Sequence, residues 1–255
     1  MSPASLQEAK RQYDQDGFLK VQQLFSGTRL TEIEEQLTLY TEQIAPHVPA
    51  DDIVYESESL PNGGRAIRNL WRMENHSRYF RELAKSEDVL QLVAMLVNGE
   101  PVLMGVELFA KPPRVGSAVP YHQDNGYFNL TPPDALTCWL ALDASSLENG
   151  CVHYARGTHS RGLWPHKATN VPGNSWGLAA PPDPATLDEV PGILARGDAM
   201  LHHCCLLHRS EPNRSDRARR GLLLVYRGAH CQIDPIGMAN YKAAADAIRA
   251  RAKAQ

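Results

Sequence analysis

From Pro101 onwards the chain changes character. Before that point apolar residues recur at helical spacing; after it, short apolar runs are broken every few residues by Gly and Pro. The second pattern predicts strands at 102–111, 119–123, 136–143, 151–155, 191–195, 199–203, 206–209 and 219–229. Runs this short favour an antiparallel sandwich or barrel over a parallel sheet. The first part predicts a helix from Ser5 to Asp14, a strand over Phe18 to Val21 and an amphipathic helix from Ser26 to Ile44, with Leu30, Ile33, Leu37 and Tyr40 on one face. A strand from Arg65 to Met73 and helices over Ser77 to Ala84 and Glu87 to Val97 follow, the last capped by Ser86. An Ala-rich helix is expected over Met238 to Lys253. The segments 46–64 and 167–184, rich in Asp, Asn, Ser, Pro and Gly, read as long irregular loops, with 46–64 and 165–180 as candidate lids. The expected architecture is mainly β with flanking helices in one domain over 1–255: a helical layer over about 1–100, a β core over about 101–230 and a C-terminal helix over about 238–253.

Composition narrows the function classes. A chain of 255 residues can bury one large core. The net charge of -3 leaves no basic footprint for nucleic acid. No apolar run approaches the ~18 residues of a membrane span, and Met1 to Gln15 is too polar for a signal peptide. Five cysteines, two of them adjacent (Cys204 and Cys205) and none in CxxC spacing, argue against a disulfide framework or a structural zinc site. They favour a reducing, cytoplasmic compartment.

The chemistry-bearing feature is Tyr121-His122-Gln123-Asp124. In an extended strand His122 and Asp124 leave the same face. A third imidazole folded back onto them would complete two histidines and one carboxylate, the ligand set that leaves positions open on Fe(II). With ten histidines in the chain, the pair reads equally as a satisfied polar contact at a strand end. Both His203 and His208 offer the third imidazole. Arg219 precedes an apolar strand and would normally face solvent; aimed inward it would receive a carboxylate in bidentate fashion. Ser210 shares the strand face of His208 and could add a hydroxyl donor. Alternation puts Glu107 and Lys111 on one strand face, where either can touch a ligand, although Lys111 before two prolines also reads as a strand-end surface residue.

Taken in order, Lys111-Pro112-Pro113, His122-Gln123-Asp124, Glu148-Asn149-Gly150-Cys151, Gly157-Thr158-His159, Gly197-Asp198 and His208-Arg209-Ser210-Glu211-Pro212-Asn213-Arg214-Ser215 leading to Arg219-Arg220 resemble the phytanoyl-CoA dioxygenase family of Fe(II)- and 2-oxoglutarate-dependent oxygenases. The similarity runs from Asp16-Gly17-Phe18 to the strand after Arg220. It implies a double-stranded β-helix (jelly-roll, cupin-like) core. It implies His122, Asp124 and His208, rather than His203, as iron ligands, and Arg219 helped by Ser210 on the distal carboxylate of 2-oxoglutarate. Trp139 fits an aromatic that lines the co-substrate pocket, and Arg68 stands where some relatives place a basic co-substrate contact. Arg156-Gly157-Thr158-His159 departs from the common Pro-Gly-Ser-His form and touches no implied ligand.

The implied reaction consumes 2-oxoglutarate and O2, releases succinate and CO2, and hydroxylates a C–H bond. The carboxylate at Asp124 points to oxygenation, because halogenating relatives replace it by a small residue. The substrate is expected to be a small or medium-sized metabolite, with Asn125, Tyr127, Phe128, His166 and Trp176 available to its pocket. A non-catalytic metal- or small-molecule-binding module of the same fold, or a zinc hydrolase, would use the same triad. Neither would need Arg219.

Overall fold

The computed structural model describes residues 3–60 and 63–253. The strands, in chain order, are β1 (Phe18–Val21), β2 (Ile53–Ser59), β3 (Arg65–Leu70), β4 (Pro101–Lys111), β5 (Val119–His122), β6 (Leu130–Thr131), β7 (Ala135–Ala141), β8 (Val152–Ala155), β9 (His166–Val171), β10 (Asn174–Leu178), β11 (Glu189–Pro191), β12 (Ala199–His203), β13 (His208–Ser210), β14 (Arg219–Gly228) and β15 (Gln232–Ile233). The helices are α1 (Pro3–Asp16), α2 (Gly27–Leu39), α3 (Met73–His76), α4 (Arg78–Leu83), α5 (Glu87–Leu96), α6 (Asn125–Phe128) and α7 (Pro235–Lys253). None of the helices is long and apolar enough to cross a membrane among the described residues.

A large antiparallel sheet in the order β1-β12-β7-β14-β4-β3-β2 faces a smaller one in the order β11-β8-β13-β5. This is the expected jelly-roll arrangement. Strict alternation along the large sheet separates two cores. Val106, Leu108, Leu136, Cys138, Leu140, Leu201, Leu222, Leu224 and Tyr226 point outward and bury themselves against α1, α2, α4 and α5. The residues between them, including Trp139, Met200, Leu223 and Val225, point inward, where they meet Tyr154 of the small sheet. Every strand of the large sheet that reaches the centre therefore offers one face to the helices and one to the interior.

Two segments differ from the sequence reading. Residues 46–64 are not an irregular loop: after two short 3-10 turns, β2 pairs with β3 and extends the sheet edge. Polar residues from Glu56 to Ser59 hide its strand pattern, since an edge strand has no second apolar partner to pack. Residues 167–184 are likewise largely structured. β9 and β10 form a hairpin about Pro172-Gly173, a pair suited to a turn that needs positive φ at its third residue. Gly173 has φ 70°, and a Cβ there would lie 2.0 Å from Asn69 Oδ1.

Candidate active site

The site forms where the two sheets close on each other. His208 on β13 pairs directly across the ladder with His122 on β5, and their ring centroids are 4.1 Å apart. Asp124 does not continue the strand, as the sequence reading assumed. It takes helical angles (φ -58°, ψ -34°) and caps α6. The turn, rather than strand alternation, brings its carboxylate back to the imidazoles. Backbone anchors on both sides hold this turn: Asn125 N donates to Cys204 O (2.8 Å) and Gln123 Nε2 to Cys205 O (2.6 Å). The adjacent cysteines are thus buried framework beside the site.

Hydrogen bonds fix the histidine tautomers. His122 Nδ1 donates to Pro120 O and His208 Nδ1 to Leu206 O, both at 2.9 Å. A carbonyl can only accept, so each Nε2 keeps its lone pair, as a metal ligand must. Those Nε2 atoms lie 3.7 and 3.5 Å from Asp124 Oδ1, and the ligand atoms of the triad fall within 4.8 Å of one another. Burial lowers the pKa of both histidines, that of His208 strongly, which keeps them neutral and available to a cation. Burial alone would raise the pKa of Asp124, but the facing histidines His208, His202 and His122 outweigh it and hold the carboxyl well below the usual range.

The other oxygen, Oδ2, accepts from Thr137 Oγ1 (2.7 Å) and His202 Nε2 (3.1 Å). His202 was not singled out by the sequence reading, which weighed its neighbour His203. Alternation in β12 is the signal that finds it: Met200 and His202 face inward while Leu201 faces the helices. His203 instead lies near Tyr13 and His159, with its ring tilted against both, on the other side of the strand. Thr137→Val should keep the fold and weaken metal binding about ten-fold, the low end for loss of a ligand's supporting hydrogen bond. Iron retained after anaerobic dialysis measures this.

Two cavities meet at the triad. The smaller, about 50 Å³, is lined by His122, Asp124 and His208 together with Trp139, Ser210 and Arg219. Arg219 is 2% exposed, and its Nε and Nη1 have no protein partner. Its guanidinium sits 5.2 Å from the Trp139 ring. Gly221 makes room for that ring, because a Cβ on it would stand 2.2 Å from the indole. Burial pulls the Arg219 pKa down to about 10, so it remains cationic at neutral pH. A buried charge without a counter-ion is costly, and the unpartnered guanidinium edge fits a carboxylate.

Arg68 is buried but lines neither cavity. Its guanidinium is committed to Glu56 (2.9 Å), Ala118 O (3.2 Å) and Asn174 Oδ1 (2.9 Å), with Ser117 also bonded. It ties β3 to the β9–β10 hairpin. Lys111 is buried as well and bonds Glu211 O, so it is not a surface residue. Burial, and then the nearby Arg219 and Arg68, hold its pKa well below normal.

The larger cavity, about 430 Å³, opens on the other side of His122 and Asp124. Glu107 lies here rather than with Arg219, alongside Trp71, Phe109, Tyr127 and Phe128. Both segments read as lids contribute to its wall, through Asp51 and Val54 and through Asn174 and Ser175, as does Tyr241 of α7. Asn125 is turned into the fold and bonds the backbone of Leu130. His166 accepts from Gln123 N (3.1 Å), and Trp176 reaches the site through its carbonyl, which accepts from the Tyr127 hydroxyl (2.5 Å). Burial, and then Asp124 and Glu74, push Glu107 up to about 8.

Fold and site geometry together define a jelly-roll protein with a His-Asp-His triad between its sheets. Residues 13–221 match the family model for phytanoyl-CoA dioxygenase (PhyH), and the chain belongs to that family. It is 29% identical over 228 residues to the "Probable alpha-ketoglutarate-dependent hypophosphite dioxygenase" of Stutzerimonas stutzeri, covering 87% of this chain and 78% of that protein. It is 28% identical over 216 residues to the methylphosphonate hydroxylase of Gimesia maris, covering 84% and 77%. Among solved structures it resembles the non-heme alpha ketoglutarate dependent epimerase SnoN from nogalamycin biosynthesis, with TM-score 0.74 and 23% identity over 93% of this chain and 89% of that one. EctD from S. alaskensis gives TM-score 0.72 and 18% identity over 92% and 78%.

Proposed function

We propose that this chain is an Fe(II)- and 2-oxoglutarate-dependent oxygenase that hydroxylates a C–H bond of a small or medium-sized metabolite. The observation that carries the reading is the orphaned Arg219 guanidinium, buried in the same small cavity as the triad. A hydrolase or a binding module would need the triad without it. His122 Nε2, His208 Nε2 and Asp124 Oδ1 would hold iron, and the two imidazoles arrive in the required tautomer. Bound iron would supply the redox chemistry, in which substrate, O2 and 2-oxoglutarate become hydroxylated product, succinate and CO2.

The protein's own part is placement. Arg219 would take one carboxylate of 2-oxoglutarate in bidentate fashion, with Ser210 beside it and the Trp139 ring covering it. Thr137 and His202 keep Asp124 turned toward the imidazoles. Leu223 and Val225 give the larger cavity an apolar inner wall. The relatives' names span hypophosphite and methylphosphonate, so family membership leaves the substrate to be read from the cavity. The five free, buried cysteines support a reducing, cytoplasmic setting.

The reading is tested by adding 2-oxoglutarate to anaerobic Fe(II)-loaded protein. A weak visible charge-transfer band should appear and should be absent from His122→Ala. An unchanged spectrum with the native protein would overturn the assignment.

A further inference from the structure

The wall of the larger cavity says what it is shaped to receive. Glu107 reaches in from β4 and makes no hydrogen bond or salt bridge with another side chain among the described residues; Arg72 attracts it only through space. The one cation on the wall, Arg72, is bonded to the Asp52 carboxylate and to Asp51 O (3.1 Å). Ring faces and edges surround the remaining space. Trp71 and Phe109 form an edge-to-face pair (5.1 Å, 80°). Tyr127 and Tyr241 form another (5.6 Å, 72°). The hydroxyl of Tyr127 is engaged by Trp176 O, so Tyr127 offers its ring rather than its oxygen.

A carboxyl group with no hydrogen-bond or salt-bridge partner, set among aromatic rings, is complementary to an organic cation: burial keeps it largely protonated in the empty cavity, and an arriving cation favours its ionised form. The ionised form supplies the counter-charge, and the ring quadrupoles add a further attraction for the cation. An anionic ligand placed beside Glu107 would instead meet Glu107 and Asp51, with Arg72, the wall's one cation among the described residues, already bonded to Asp52. A neutral apolar ligand would leave Glu107 without a partner and partly desolvated, and a neutral hydroxyl could hydrogen-bond it but would not offset its charge.

We propose that Glu107 is the substrate-recognition residue of this cavity and that the substrate is an organic cation, a protonated amine, amidine or quaternary ammonium, held between Glu107 and the aromatic walls. The reaction attributed to that substrate rests on the oxygenase reading above; the charge preference of the cavity does not. With the cation fixed at Glu107, the rest of the molecule extends toward His122 and Asp124, which line the same cavity.

The test uses three probes of one shape: 2-phenylethylamine, 2-phenylethanol and phenylacetate. Their binding is measured by calorimetry under anaerobic conditions, with and without Fe(II) and 2-oxoglutarate, on the native protein and on the isosteric Glu107→Gln. The native protein should bind the amine at least ten-fold more tightly than the alcohol, with the acid weakest. Glu107→Gln should erase the preference of amine over alcohol. The proposal is overturned if the acid or alcohol binds as tightly as the amine, if the amine does not bind, or if Glu107→Gln leaves the ranking intact. A separate titration of the native iron protein with 2-oxoglutarate decides the oxygenase reading. Amine preference without 2-oxoglutarate binding removes the reaction and keeps the recognition; the reverse result removes the recognition alone.

Discussion

Asp124→Ala is expected to lower iron affinity by more than about 100-fold, beyond what loss of a supporting hydrogen bond costs a metal site, and to abolish 2-oxoglutarate turnover. Asp124 contributes to the site twice. Its Oδ1 faces both Nε2 atoms and completes the triad. Its Oδ2 is the acceptor for Thr137 and His202. Alanine removes the only carboxylate of the proposed triad and leaves two buried donors, the Thr137 hydroxyl and His202 Nε2, without their acceptor. Asp124→Asn separates these effects. It keeps the volume and one oxygen but loses the charge, so it should retain the folded state while still losing most of the iron. Metal content after anaerobic dialysis, with thermal unfolding as the control, reads both. Native-like iron content in Asp124→Ala would exclude Asp124 as a ligand.

The triad was legible in the sequence because its chemistry sits in local patterns, His122-x-Asp124 and His208-Arg209-Ser210. Its supports were not, because they depend on which face of a strand a residue takes. His202 and His203 are neighbours in sequence and lie on opposite faces of β12; only the parity set by Met200 and Leu201 tells them apart. Asp124 reaches the two imidazoles by a different route from the extended geometry that the His-x-Asp spacing suggests, since the chain turns into α6 there. Arg68 shows the opposite limit. A basic residue at that position can face a cavity or fasten two strands, and Glu56, Ser117 and Asn174, which engage it here, come from segments whose pairing the sequence did not reveal. The same blindness to edge strands turned β2 and the β9–β10 hairpin into loops. Their polar side chains carry no apolar alternation, and their stability comes from pairing with distant or adjacent backbone.

Arg219→Met should produce opposite effects on the empty and the loaded protein. In the absence of a ligand, Arg219 is a buried cation whose Nε and Nη1 have no protein partner, and burial depresses its pKa to about 10. For a cation the sign is unambiguous: a folded-state pKa below the unfolded value means that the charged form is disfavoured by folding, and at pH 7 the group is charged in both states. Replacing it with an apolar side chain of similar length should therefore raise the melting temperature of the empty protein or leave it unchanged. With iron and 2-oxoglutarate present, the native protein should gain stability by mass action, and Arg219→Met should gain almost none. Truncating one partner of a buried, hydrogen-bonded charge pair costs about 2–5 kcal/mol, so the KM for 2-oxoglutarate should rise by at least about 30-fold. Arg219→Lys should fall between the two, because it restores the charge without the planar fork that engages both carboxylate oxygens. Iron binding should be close to native in both variants, since Arg219 contributes no ligand atom. A melting temperature of the empty protein that drops sharply in Arg219→Met, with 2-oxoglutarate affinity unchanged, would make the guanidinium a structural element of the small cavity and remove the co-substrate anchor from the mechanism.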